Sequence, residues 1–314
     1  MSAIERRVVS SLQLNRPARR TITKISEQAQ RRLAGAALSI YDEPKIDCHN
    51  HLFDPARFAY RADTVYAPAG QEVAPLEQFA RVMDAYGVHH ALLVGPSSGY
   101  RTDNRCLLHA LAHGEGRFKG IAVVDHDISL LELAALKEQG VVGVAFNPAL
   151  EGVAVMSDAA GLFGRLAELD LFAQIQVQGD QLVELLGLIE LTAPRLLIDH
   201  CGRPEARAGL DQPGFRALLD LADSGRAWVK ISGMQKFAAR DHLDEQAGTY
   251  VCALLQAFGP DACVWGSDWP FIREPSRVDY GPLLKLAERL MPDASVRRNV
   301  MWDTPRRLFG FGER

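Results

Sequence analysis

From Lys45 onward the chain alternates two patterns. Short, nearly continuous apolar runs are followed by longer stretches in which apolar residues recur every three or four positions. The runs are KIDCHNH (45–51), HHALLVGPS (89–97), FKGIAVVD (118–125), VVGVAFNP (141–148), LFAQIQVQ (171–178), RLLIDHCG (195–202), AWVKISG (227–233) and CVWGSDWP (263–270). Apolar runs of this length, rich in β-branched and aromatic residues, read as strands buried on both faces. The stretches between them read as helices. PLEQFARVMDAYG puts Leu76, Phe79, Val82 and Met83 on one face and stops at Gly87. SLLELAALKEQG closes the same way at Gly140, and GFRALLDLADSG opens after Pro213 and closes at Gly225. Eight strands, each followed by a helix, predict an α/β fold: a (β/α)8 TIM barrel over residues 41–314. An open doubly wound sheet is the alternative, but no glycine-rich phosphate loop follows the first run.

Composition narrows the function. The 314 residues are 47% apolar and 24% charged with a net charge of −4, so no global positive field points to nucleic acid. No run approaches the ~18 apolar residues of a membrane span. Charge is uneven: residues 1–40 carry +6, leaving −10 for the rest. This segment predicts a basic helical extension, packed on the barrel or on a partner subunit of a homo-oligomer. Arg31-Arg32 precede an apolar stretch too short and too late to make a good export signal. The five cysteines are odd in number and form no CxxC pair, which predicts free thiols in a reducing, cytoplasmic setting. Cys48 and Cys201, although each neighbours a histidine, are expected to be buried apolar filler.

In such a barrel, chemistry collects where strands end. The first run ends with His49 and His51, which alternation places on one face with Asp47 below them. The sixth ends in His200 and the eighth in Asp268. Further polar residues follow the other strands: Ser97, Tyr100, Arg101 and Asn104 after the second, Asn147 after the fourth, Gln174, Gln176 and Gln178 on the fifth, and Lys230 and Lys236 around the seventh. Each alone has a bland reading, as a cap, a loop charge or a core residue. Their shared position at one mouth is what gives them weight.

The segments DCHNH, IDHCGRP and WGSDWP resemble the amidohydrolase superfamily, in the branch of 2-pyrone-4,6-dicarboxylate lactonases and related sugar lactonases. RFAYRADTVYAP, SSGYRTDN, GVAFNPAL and WVKISGM follow that branch in order, and the resemblance spans residues 44–311. It implies hydrolysis of a lactone, with Asp268 taking a proton from water and His49, His51 and His200 polarising the carbonyl. It also implies substrate contacts from Tyr60, Ser97, Tyr100, Arg101, Asn104, Asn147, Gln176 and Lys236. No metal is expected to be required, since Gln176 stands where metal-dependent members carry a strand-five histidine, and an amide is a poor zinc ligand. The alternative is one divalent metal, zinc by preference, held by His49, His51, His200 and Asp268.

Two departures bear on the substrate. Ala145 and Lys236 stand where the pyrone dicarboxylate pattern has arginines. A small lactone with at least one carboxylate remains the expectation, held in an electropositive mouth by Arg101 and Lys236, with Arg203 able to compensate for a missing arginine. A zinc-dependent decarboxylase and a lactone isomerase are the competing enzyme readings, and a decayed scaffold is the non-enzyme one.

Overall fold

The computed structural model describes residues 39–312. The predicted basic extension therefore lies almost wholly outside the described residues. One compact unit begins at Ile40. Its strands are β1 (Lys45–Asn50), β2 (Val88–Val94), β3 (Phe118–Ala122), β4 (Val141–Phe146), β5 (Phe172–Ile175), β6 (Arg195–Ile198), β7 (Ala227–Ile231) and β8 (Cys263–Trp265). They pair in parallel, in sequence order from β1 to β8. Each is followed by a helix: α1 (Leu76–Ala85), α2 (Arg105–His113), α3 (Leu130–Glu138), α4 (Ala160–Glu168), α5 (Gln181–Thr192), α6 (Pro213–Asp220), α7 (Leu243–Phe258) and α8 (Tyr280–Leu290). This is the predicted (β/α)8 barrel, with strands that stop short of the apolar runs. The last residues of each run leave the sheet and become the loops of the mouth.

Local chemistry explains individual elements. Ser129 accepts a hydrogen bond from the Glu132 amide while Glu132 reaches back to the Ser129 amide, a reciprocal cap that starts α3. Inside the barrel, Ile46, Leu92, Ile121, Phe172, Leu197 and Val264 form an apolar plug. Trp302, Phe309 and Phe311 join it from the C-terminal segment and cover the end where the strands begin. Full burial of each such side chain stabilises by about 1.5–3 kcal/mol. The cysteines are free; four are buried, Cys48 and Cys201 among them, and Cys252 is exposed.

The ring closes beyond the regular end of β8. The Asp268 amide donates to the His49 carbonyl at 2.8 Å, and the His51 amide donates to the Trp269 carbonyl at 2.8 Å. Close approach is required here: a Cβ on Gly266 would lie 2.6 Å from the His49 amide nitrogen. The Asp47 carboxylate fastens the same seam. It accepts from the His49 amide (3.1 Å), the Ser267 amide (2.9 Å), the Ser267 hydroxyl (2.6 Å) and the Tyr280 hydroxyl (2.9 Å).

This geometry corrects the expectation that Asp47 sits below the two histidines. Asp47 pairs with Ala91 and Asn50 with Leu93, three residues on β1 against two on β2. That extra residue is a β-bulge. Alternation is broken, Asp47 turns toward α8, and both Cys48 and His49 face the barrel interior, where each lies close to Lys230.

Asp47→Ala is expected to destabilise the protein by at least about 3 kcal/mol, because several buried donors lose their acceptor at roughly 1–3 kcal/mol each. Urea denaturation checks this. A loss below about 1 kcal/mol would mean that the seam is held by its backbone hydrogen bonds alone.

Candidate active site

The mouth of the barrel is built around one carboxylate. Asp268 follows β8 in a left-handed backbone conformation (φ 65°) and is 2% exposed. Its Oδ1 lies 3.7 Å from His49 Nε2, 3.9 Å from His51 Nε2 and 3.9 Å from His200 Nε2. The bulged end of β1 supplies the first two rings. The turn after β6 supplies the third, with His200 also left-handed (φ 53°). Gly233 makes room for that ring, since a Cβ there would come within 2.4 Å of His200 Nδ1.

A second layer fixes the rings. His51 Nδ1 is 2.8 Å from the Val94 carbonyl, so Nδ1 carries the proton and the neutral ring turns a lone pair toward Asp268. His200 Nδ1 is 3.0 Å from the Ser232 hydroxyl. His49 Nδ1 lies 3.2 Å from Asp199 Oδ1 and 3.2 Å from Lys230 Nζ. Lys230 is wholly buried on β7. It pairs with Asp199 at 3.2 Å and donates to Gln174 Oε1 at 2.6 Å, while Gln174 donates to the other Asp199 oxygen at 2.9 Å. Asp199, Lys230, Gln174 and His49 thus form a closed, nearly charge-balanced ring of contacts beneath the mouth.

Electrostatics set the protonation states. Burial pushes the imidazoles down: His200 to about 3, with His49 as the next cause, and His49 and His51 below their ordinary value. All three are therefore neutral near pH 7. Burial alone would raise the Asp268 carboxyl, but the Lys236 ammonium leads the charges that outweigh it and hold it below the usual carboxylate range. Lys236 Nζ is 3.3 Å from Asp268 Oδ2 and 2.7 Å from Glu274 Oε1.

The cleft over Asp268 has a volume of about 370 Å³. Of the residues anticipated from sequence, His51, His200, Asp268, Ser97, Asn147, Gln176 and Lys236 line it. His49 lies just beneath. Arg101 lines an adjoining cavity instead. Tyr60, Tyr100 and Asn104 are not among the lining residues, and their polar atoms serve the loops. Tyr60 donates to the Pro68 carbonyl, the Tyr100 hydroxyl accepts from the Asp54 amide, and the Asn104 side chain bonds both backbone groups of Val123. Lys236 is matched by two carboxylates and so departs from the expected free cation. Arg203 and Arg273 also line the cleft, and neither has a carboxylate within ion-pair distance among the described residues.

Asp199, Ser232 and Glu274 went unanticipated. Alternation on β6 would turn Asp199 away from His200, but the strand ends at Ile198 and the rule lapses there. Lys230 was visible as a lysine within the apolar run AWVKISG, a pattern that signals a buried partner.

The amidohydrolase family matches residues 46–311. The 4-sulfomuconolactone hydrolase of Rhizobium radiobacter is 33% identical over 271 residues, covering 84% of this chain and 89% of that one. The 2-pyrone-4,6-dicarboxylate hydrolase of Comamonas testosteroni is 26% identical over 280 residues, covering 84% and 89%. A solved structure from Pseudomonas putida, a candidate 2-pyrone-4,6-dicarboxylic acid hydrolase, superposes with a TM-score of 0.77 at 33% identity over 86% of this chain and 98% of that one. With the family matched across the whole barrel and its histidines and aspartate gathered at one mouth, this chain belongs to the amidohydrolase family.

Proposed function

We propose that this protein hydrolyses the ring ester of a small carboxylated lactone. The observation that carries the reading is the convergence of three imidazole nitrogens on one buried, ionised carboxylate at the floor of an open cleft. A water placed between Asp268 and His51 gives one hydrogen to the carboxylate and the other to the His51 Nε2 lone pair. Its own lone pair then faces the cleft, where the lactone carbonyl sits. His200 presents Nε2–H to the carbonyl oxygen when Ser232 donates to Nδ1. A donor aimed at a developing oxyanion contributes on the order of 2.7–4 kcal/mol. As the water oxygen bonds to the carbonyl carbon, Asp268 takes its proton. When the ring C–O bond breaks, Asp268 returns that proton to the leaving alkoxide, and the product is a hydroxy acid. The low proton affinity of Asp268 keeps it ionised across the working pH range. The substrate's carboxylate is assigned to Arg203 and Arg273, because Lys236 already faces two carboxylates.

His49, His51 and Asp268 offer donor atoms within 4.8 Å of one another, as do His49, Asp199 and His200, and these are ligand kinds that zinc takes. A zinc held there would supply Lewis-acid polarisation and would suit the decarboxylase alternative. Against a required metal stand two ammonium groups in the immediate surroundings, Lys236 against Asp268 and Lys230 against His49. We assign no required metal. Dialysis against a chelator is expected to leave lactonase turnover within about two-fold, with less than one tenth equivalent of zinc by elemental analysis. Stoichiometric zinc with loss of turnover on its removal would establish the alternative.

Asp268→Asn keeps shape and removes proton affinity. It is expected to lower kcat by at least about 1,000-fold on any lactone the wild type opens, with little change in KM. Turnover within a few-fold of wild type would place the base elsewhere.

The depressed imidazoles also set a pH dependence of stability. An unfolded histidine takes up a proton near pH 6.5. Folded His200 does so only near pH 3, and His49 and His51 also below the ordinary value. Between these limits the unfolded state binds more protons, so stability falls as pH falls. Each ring contributes up to about 1.4 kcal/mol per pH unit. Urea midpoints at pH 7 and pH 5 are expected to show this fall, with a smaller slope in His200→Gln. Equal slopes in both proteins would mean that His200 is protonated when folded.

A further inference from the structure

Beside the catalytic cleft lies a second cavity of about 190 Å³. The two share one wall, made by Ser97, Ala145, Phe146 and Asn147. Ala145 has the smallest side chain in that wall, and it stands at the position where the pyrone dicarboxylate pattern carries an arginine. An arginine there would take up space along the shared wall that alanine leaves free. The far side of the second cavity mixes apolar and polar groups. Val124 and Val155 supply the apolar part, and Arg101, Asp125, His126 and Glu151 the polar part. Residues lining this cavity therefore bring one guanidinium, two carboxylates and an imidazole to it. No ion pair or hydrogen bond joins the Arg101 side chain to Asp125 or Glu151 among the described residues, although the Arg101 backbone is held in the left-handed region (φ 51°).

We propose that this second cavity is a substituent subsite of the active centre. It takes an uncharged, hydroxyl-bearing branch on the lactone ring, and Ala145 is the specificity-determining residue that leaves a passage open. Two carboxylates against one guanidinium disfavour an anionic branch. Hydroxyls suit the mixture, since each can donate to Asp125 or Glu151 and accept from Arg101. The volume accommodates a branch of a few heavy atoms, given about 30 Å³ per molecule of liquid water. The subsite rests on the lactonase reading for the reaction but not for the binding.

The test uses a matched pair of lactones, one with a dihydroxyethyl branch and one without, together with their ring-opened acids as binding probes. Wild-type protein is expected to favour the branched lactone in kcat/KM and the branched acid in calorimetric Kd. Ala145→Leu fills the passage, and Val155→Phe fills the cavity from its far wall. Each is expected to lower the branched-to-unbranched ratio by about ten-fold or more in both measurements. Because Val155 lies off the barrel strands and is partly exposed, its variant keeps the test sound should the β4 variant fold poorly. Ratios within about two-fold of wild type in the folded variants overturn the subsite, as does a preference for a carboxymethyl branch over the hydroxylated one. Binding ratios that respond while neither lactone is opened would uphold the subsite and overturn the lactonase reading.

Discussion

The pairing of β1 with the segment after β8 is the constraint on which the active centre depends. A barrel closes only if its first and last strands meet. Here they meet through residues gathered at the mouth: the His49 carbonyl takes the Asp268 amide, and the His51 amide finds the Trp269 carbonyl. Closure and the geometry of the candidate site are therefore one event. The buried Asp47 carboxylate makes this possible by gathering donors from both sides of the seam, and the bulge that follows it turns His49 inward beside Cys48. A regular β1 that kept Ile46 and Cys48 inward would point His49 outward, away from Asp268.

Charge balance governs the rest of the mouth. Burying an ion without a partner is costly, and breaking a buried pair costs about 3–5 kcal/mol. Each carboxylate near the cleft accordingly has its cation: Asp199 has Lys230, and Asp268 shares Lys236 with Glu274. The imidazoles resolve the same problem by staying neutral. One consequence is tautomer control. Val94 fixes which nitrogen of His51 bears the proton, and so fixes that ring as an acceptor toward the cleft. The three histidines are alike in sequence but not in what they can offer.

How far the sequence carried depended on whether the determining interactions were local. All eight strands were legible, because a strand buried on both faces must be apolar throughout, and a run such as FKGIAVV announces itself. His49, His51, His200 and Asp268 were legible from position, because strand ends in this topology share one mouth. The bulge was not, since register is set by β2, about forty residues away. Tyr60, Tyr100 and Asn104 look the same in sequence whether they face a ligand or a backbone group, and here each has a backbone partner. Lys236 reads as a free loop cation until Glu274 is brought to it across 38 residues of chain.

The same distinction bears on selectivity. The residues of the mouth and the ring of contacts beneath them leave little freedom, because their side chains are tied to groups on other strands and loops. Variation is tolerated one layer higher, where loops line the cleft and a side chain changes space without disturbing closure. Ala145 occupies that layer at the end of β4, between the two cavities. Replacing an arginine with alanine there removes a fixed charge and opens volume at once. Under the proposed subsite, the loss of a fixed cation and the gain of room for a neutral branch are two effects of a single substitution. A barrel can change which substituent its cleft accommodates in this way while the carboxylate and imidazoles of the mouth stay where the seam puts them.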